Sequence, residues 1–328
     1  MKMQAVILAA GKGSRLHPIT AKRSKAMLPV LGKPIVERVM ETLSGCGIDE
    51  FIVVASPGDE NILRYFQEES SFKGRVHLVT QSERMGMAHA LMQAAPMIEG
   101  DFVLSACDNL ISEDDASRLM SLWKMEPPAN ATLTLLRIPR QELGKTGIVE
   151  MRDGLILRIV EKPKPEEAPS DIASLPLYVF SRKILNYLAE VNLSPRGEYE
   201  LQDAIQMLIE RDGNVRGLMV DGRLTLTSAA DLLKINREFL WRGGSRLLRV
   251  TAAVGEETKF LPPLYIEPGT EIGSHCTIGP NVYIERDCRI EDRVSLRDCV
   301  VLRKTVVESG SKFVGEVVEN GKKTQDNS

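Results

Sequence analysis

From residue 266 to residue 302 an aliphatic side chain recurs at every sixth position: Ile266, Ile272, Ile278, Ile284, Ile290, Leu296 and Leu302. Four residues after each stands a second small or apolar residue, in turn Thr270, Cys276, Val282, Cys288, Val294, Val300 and Val306. A period of six is the signature of a parallel β-helix, in which short turns separate short strands whose apolar members point inward. At three hexads per coil, seven repeats make only about two and a third turns. Glu308 and Lys312 interrupt the inward positions, and Val314 and Val318 are expected to return in phase. A coil this short has open ends and flat faces, so self-association, or packing onto a catalytic domain, is expected. Cys276 and Cys288 read as inward packing residues.

The N-terminal part has a different grammar. Strand-like runs at Gln4 to Ala9, Glu50 to Ala55, Val76 to Thr80 and Asp101 to Ser105 alternate with helical stretches at Pro34 to Ser44, Asp59 to Glu68 and Met87 to Ala95. Strands separated by single helices imply right-handed crossovers and a mostly parallel, Rossmann-like mixed sheet with helices on both faces. From Thr132 the pattern is less regular. Strands are expected at ATLTLLRI, on either side of Gly154 in GIVEMRDGLILRIVEKP, and at LPLYVF, and helices at Glu198 to Glu210 and Ala229 to Trp241. These signals divide the 328 residues into an α/β domain over 1–245, the hexapeptide coil over 246–319 and a polar tail over 320–328.

A formal charge of -3, from 42 basic and 45 acidic residues, provides no field for gripping a nucleic-acid backbone. No run of 18 apolar residues exists, so no membrane span is expected. The apolar start of MKMQAVILAAGKG enters a glycine-rich turn and reads as a buried first strand, not a secretion signal. The cysteines number five and lack metal-knuckle spacing, which fits reduced thiols in a cytoplasmic protein.

Ligands of parallel sheets collect at the carboxyl ends of the strands. LAAGKGSRLHPIT leaves the first strand there, and Gly11 and Gly13 allow the backbone to approach phosphate oxygens closely. Arg15 offers a fork of donors, and Arg23 and Lys25 follow before Lys33 and Pro34 open the next helix. Such cations suit phosphoryl transfer, where charge builds on oxygens. Asp108, just after a parallel strand in SACDN, is the better metal candidate than Asp114 and Asp115, which sit where a helix starts.

The stretch GKGSRLHPITAKRSKAMLPVLGKPIVE resembles the signature of the nucleotide-diphosphate-sugar pyrophosphorylases, or sugar-1-phosphate nucleotidyltransferases. A CDN strand end, an EKP motif and a hexapeptide coil follow in family order. The resemblance implies that the coil is a left-handed β-helix. It also implies transfer of a nucleotidyl group from UTP or dTTP to a sugar-1-phosphate, by default glucose-1-phosphate, with Mg2+ as cofactor. Ala10 and Gly11 would then meet the nucleoside, with Arg15 and Lys25 as catalytic cations. Gln81 and Gly86 would read the base, and Asp108 would hold magnesium. Gly147, Glu161 and Lys162 would bind the sugar phosphate, with Asp171 at the position of a sugar-binding Asn. The implied chemistry is direct attack of the sugar-phosphate oxygen on the α-phosphorus, for which no His or Ser nucleophile is required.

Some positions depart from the family pattern. A Trp-x-Asp-x-Gly stretch usual in the family is here RLTLT, with Arg223, Thr225 and Thr227 at those three places. Thr225 brings no negative charge to a hard cation, and Asp221 could substitute only if the loop shifts. Thr146, Asp171 and Pro176 replace residues usual around the sugar. These losses support a rival expectation, a weak or inactive relative that binds a nucleotide or sugar nucleotide as a regulatory subunit.

Overall fold

The computed structural model describes residues 3–319 and the backbone of 322–323. Most of the expected polar tail, 320–328, lies outside the described residues. The chain forms two compact units, one of residues 1–12 and 36–223, the other of 13–35 and 224–328. The segment 13–35 and the helix 229–242 thus group with the C-terminal coil.

The first unit is built on one nine-stranded sheet. Its strands are β1 (Gln4–Leu8), β2 (Glu50–Ala55), β3 (Val76–Thr80), β4 (Phe102–Ala106), β5 (Ala131–Arg137), β6 (Gly147–Arg152), β7 (Leu155–Glu161), β8 (Ile172–Phe180) and β9 (Val215–Met219). They lie in the order β3-β2-β1-β4-β8-β5-β9-β7-β6. β3, β2, β1 and β4 are all parallel. β8 then runs antiparallel to β4 and to β5, and β7 runs antiparallel to β9 and to β6. The sheet, expected to be mixed and mostly parallel, is parallel in its first half and in the β5–β9 pair.

Both faces of the parallel strands are buried, as unbroken apolar runs such as QAVIL and EFIVVA require. Val6, Ile52 and Leu104 face a cluster with the helices Met87–Ala94 and Leu201–Arg211, while the alternate residues Ile7, Phe51 and Val103 are equally inaccessible. The helix expected over Asp59 to Glu68 changes character partway. It is α-helical over Glu60–Arg64 and continues as a π turn over Tyr65–Glu69, closed by Ser70 N–H to Tyr65 C=O. Ser112, not Asp114 or Asp115, caps the helix Glu113–Trp123, accepting from the Asp115 amide. In β8 the ladder slips between Leu175 and Tyr178, where Pro176 has no N–H to donate.

In the second unit parallel strands stack at regular sequence offsets. Leu264 pairs with Val282, Glu271 with Arg289 and Thr277 with Ser295, a step of 18 residues or three hexads. The corners lie in the left-handed region, most of them at non-glycine residues, namely His275, Asn281, Asp287, Arg293, Asp298 and Lys304, with Gly269, Gly310 and Gly315 at others. Asn, Asp and His are the residue types that tolerate this conformation best. The corner spacing is six until Arg293, then five to Asp298, and five again from Gly310 to Gly315. Accordingly Tyr283 pairs with Val300, Arg289 with Val306 and Ser295 with Lys312, a step of 17.

That lost residue corrects the expected inward set. Ile266 through Leu302 are all buried, but Val306 is 46% and Val314 51% exposed, whereas Val301, Val307, Phe313 and Val318 fill the core. Cys299 joins Cys276 and Cys288 inside, and all five cysteines are free thiols. Among the described residues no helix is long and apolar enough to cross a membrane.

The helix Ala229–Arg242 opens on a capping box. Ser228 Oγ accepts from Asp231 N–H, and the Asp231 carboxylate accepts from Ser228 N–H and from Thr227. Ser228→Ala is expected to lower stability by about 1 kcal/mol, read as a fall in the urea midpoint at constant slope. An unchanged midpoint would mean that Asp231 alone carries the cap.

Candidate functional site

The carboxyl ends of the parallel strands bring three predicted positions, Ala10, Gln81 and Asp108, to one edge of the sheet together with Ser56. Leu8 of β1 pairs with Val54 and with Ala106, and Ala55 pairs with Thr80. The ladder runs on through Ala9 N–H to Val54 C=O, Cys107 N–H to Leu8 C=O and Gln81 N–H to Ala55 C=O. Ala10, Ser56, Gln81 and Asp108 therefore leave the sheet side by side.

Two braces fix the turn after β1. Ser56 Oγ donates to Ala10 C=O at 2.9 Å, and Arg84 Nε donates to the same carbonyl at 3.0 Å. Arg84 also reaches Ser56 Oγ at 3.2 and 3.1 Å. Neither residue stands out in the sequence, because only strand register shows that they converge on Ala10. Gly11 is exposed, and a Cβ there would meet nothing within 4 Å.

Gln81, only 4% exposed, donates through Nε2 to Gly86 C=O at 3.1 Å and lies 3.1 Å from His89 Nδ1. Gly86 caps the helix Met87–Ala94 at φ 93°, and a Cβ there would stand 2.6 Å from Tyr199 C=O, so a side chain is excluded twice over. His89 helps orient the Gln81 amide.

The antiparallel half supplies the second cluster. Glu161, at the end of β7, pairs across the ladder with Gly147, at the start of β6. A Cβ on Gly147 would lie 2.9 Å from Ser174 Oγ and 3.1 Å from Glu161 Oε2. Glu161 Oε2 is buried with no hydrogen-bond partner among the described residues. Burial pushes this carboxyl above the usual carboxylate range, against the pull of the Lys162 ammonium, with Glu200 adding to the rise. Lys162 Nζ is 3.4 Å from Glu161 Oε1. Arg196, unremarkable in the sequence, sits 3.7 Å from Glu161 and 2.7 Å from Glu200.

Asp108 and Glu161 share an electrostatic neighbourhood. Burial lowers the pKa of Arg223, which Asp108, Tyr178 and Glu142 oppose. Tyr178, fully buried, donates to Ser174 Oγ, and burial together with Glu161 raises its pKa. Asp171 is engaged elsewhere, held by Arg137 Nη1 at 2.5 and 2.6 Å. Asp221 is exposed.

Gly13, Arg15 and Lys25 belong to the second unit. Arg15 is exposed in the turn Ser14–Leu16, and Lys25 is half-buried at the start of Lys25–Met27. Gly13, at φ 62°, packs so closely that a Cβ would lie 3.1 Å from Lys25 Cβ and 3.2 Å from Thr20 Cγ2. Arg23, grouped with these cations in the sequence, is buried against Glu285. Lys33 and Pro34 form the second arm of a small hairpin with Pro29–Val30, and the helix starts at Ile35.

The family model for nucleotidyl transferases matches residues 4–241, and the model of the GMPPB C-terminal domain matches residues 260–326. A glucose-1-phosphate thymidylyltransferase of Streptomyces griseus is 31% identical over 85% of this chain and 77% of its own length. The UTP–glucose-1-phosphate uridylyltransferase AglF of Haloferax volcanii is 33% identical over 67% of this chain and 89% of its own. A bifunctional protein GlmU of Methanococcus maripaludis is 29% identical over 98% of this chain and 74% of its own. A solved UDP-glucose pyrophosphorylase, 21% identical, has the same fold over 74% of this chain and 100% of its own, with a TM-score of 0.67. The chain therefore belongs to the nucleotidyl transferase family, as an enzyme of the sugar-1-phosphate nucleotidyltransferase kind.

Proposed function

We propose that the chain joins UTP or dTTP to a sugar-1-phosphate, glucose-1-phosphate by default, and releases pyrophosphate. The observation carrying this reading is the single sheet edge on which Ala10, Gln81 and Asp108 stand beside one another. Gln81 and Gly86 read the base and Ala10 and Gly11 cradle the nucleoside. Gly147, Glu161 and Lys162 take the sugar phosphate. Gly13 brings the backbone to the phosphates, and Arg15 and Lys25 neutralise the charge that develops as the sugar-phosphate oxygen attacks the α-phosphorus. We assign this chemistry to a functional domain over 1–245, followed by a left-handed β-helix. Asp171, already paired with Arg137, shapes the sugar end through that pair.

Among the described residues no group of three His, Cys, Asp or Glu could hold a metal by itself. Mg2+ commonly takes one or two carboxylates and completes its shell with substrate phosphates and water, and Asp108 fits that role. When bound, the ion would supply charge neutralisation on the triphosphate.

The free thiols suit a reducing, cytoplasmic setting, and exposed Val306 and Val314 support self-association through the coil. The deciding experiment is pyrophosphate release by the purified protein over a panel of nucleoside triphosphates and sugar-1-phosphates. Magnesium-dependent release with one matched pair supports the proposal; none with any pair ends it and favours the regulatory reading.

Glu161→Ala is expected to raise KM for the sugar phosphate and lower kcat/KM about a hundredfold, with KM for the nucleotide nearly unchanged. The raised pKa of Glu161 also sets a sign. As pH falls, its carboxylate is protonated earlier than an exposed one, so kcat/KM for the sugar phosphate should drop on the acid side at higher pH than an exposed carboxylate would give. A pH profile that is flat there would remove Glu161 from sugar recognition.

A further inference from the structure

The segment 13–35 is anchored to the coil on both sides of Lys25. On one side Arg23, 7% exposed, forms a fork with Glu285, Nη1 to Oε1 at 2.7 Å and Nη2 to Oε2 at 3.0 Å. Glu285 is itself fixed, accepting from Arg303 N–H at 2.8 Å. On the other side the hairpin turn is gripped twice. Gly32 N–H donates to Tyr283 Oη at 3.2 Å, and Leu31 N–H donates to Asn236 Oδ1 at 2.9 Å, while Asn236 Nδ2 returns a bond to Pro29 C=O. Tyr283 lies in the strand Val282–Ile284 and Glu285 directly follows it, its N–H continuing the ladder to Val301 C=O, so the two stand two residues apart on the same side of the extended chain. Tyr283 in turn hydrogen-bonds Glu267. The turn lies so close to the coil that a Cβ on Gly32 would stand 3.0 Å from the Tyr265 ring.

A buried ion pair is an inefficient stabiliser, since a well-packed apolar pair of similar volume does as well or better. What a bidentate fork supplies is direction, because it accepts one orientation of both side chains. Arg23 lies two residues before Lys25, and the second grip falls on residues 29–32, so the backbone bearing the ammonium is held from both ends.

We propose that Glu285, with Tyr283, is a positioning residue for the transferase reaction, holding the Lys25 segment through Arg23 in its working conformation. The coil is on this account part of the catalytic machinery's support. The inference rests on the reading that Lys25 acts on the phosphates, and its test separates the two.

The full-length protein is compared with Glu285→Gln, which keeps shape and loses charge, and with the double variant Arg23→Met/Glu285→Leu, which replaces the pair by apolar packing. Steady-state pyrophosphate release gives kcat and KM, and amide hydrogen exchange reports residues 24–32. The expected result is a double variant that melts at or above the wild-type temperature. Its kcat is about tenfold or more lower, both KM values stay within about threefold, and exchange in 24–32 is faster. Unchanged kcat in the folded double variant overturns the proposal. Should that variant not fold, Glu285→Gln decides by the same criterion. If the wild-type protein releases no pyrophosphate at all, the transferase reading has failed independently. Exchange then decides alone, and unaltered protection of 24–32 in Glu285→Gln overturns the tether.

Discussion

Lys25→Ala is expected to cut kcat for pyrophosphate release by about a thousandfold with little change in melting temperature. Removing one preorganised donor from developing charge in a water-poor site typically costs about a hundred- to a thousandfold in kcat. Lys25 starts a short turn and is half-buried, with Gly13 packed against its stem, so the ammonium has few alternative directions. Alanine removes the charge and leaves the packing around Cβ in place. Lys25→Arg is expected to recover only part of the loss, because a planar fork does not reproduce a compact point charge. The exposed Lys22 is the control, and Lys22→Ala should stay close to wild type. The loss should fall on kcat with KM nearly constant, the mark of an interaction made in the transition state. A kcat that stays within fivefold, as an order-of-magnitude bound, would show that Lys25 only supports the turn.

Asp108→Asn is expected to lower magnesium-dependent turnover by more than about a hundredfold, since Asp108 is the one carboxylate proposed to anchor the ion. The neighbouring Arg223 gives a second arm with the opposite sign. A guanidinium near Asp108 competes with a divalent cation for the same negative potential, and its partial burial strengthens that competition. Arg223→Gln should therefore reduce the magnesium concentration for half-maximal activity by about tenfold, even if kcat itself falls. A magnesium titration of the two variants checks both statements. If Asp108→Asn merely shifts the midpoint without lowering the plateau, another group holds the ion.

The sequence shows its strand ends and its hexad plainly because both are local and periodic. Gln4 to Leu8 and Glu50 to Ala55 are apolar runs too short for helices, and the glycines after β1 announce a close approach. The coil's core is legible up to Leu296 for the same reason. It becomes illegible where one residue drops out between Arg293 and Asp298, since a strict period of six carries Val306 and Val314 inward while the real corners carry them out. The αL-tolerant Asp298, five residues after Arg293, is the one local sign of the slip. Partnerships across long separations leave no local trace at all. Arg23 meets Glu285 262 positions away, and Arg84 meets Ala10 across 74, so nothing local announces either pairing. The pairing of Asp171 with Arg137 on the neighbouring strand is hidden for the same reason.

The grouping of residues 13–35 with the coil bears on how such a chain can be cut and recombined. The path passes between the two compact units at 12/13, 35/36 and 223/224, so no single break in the chain separates them. A crossover anywhere between 36 and 284 that exchanged the C-terminal half for a foreign one would inherit Arg23 and discard Glu285, stranding a buried charge. The two ends of this gene product are thus expected to be inherited together, and a transplanted coil should be accepted only when it brings an acid to the place of Glu285.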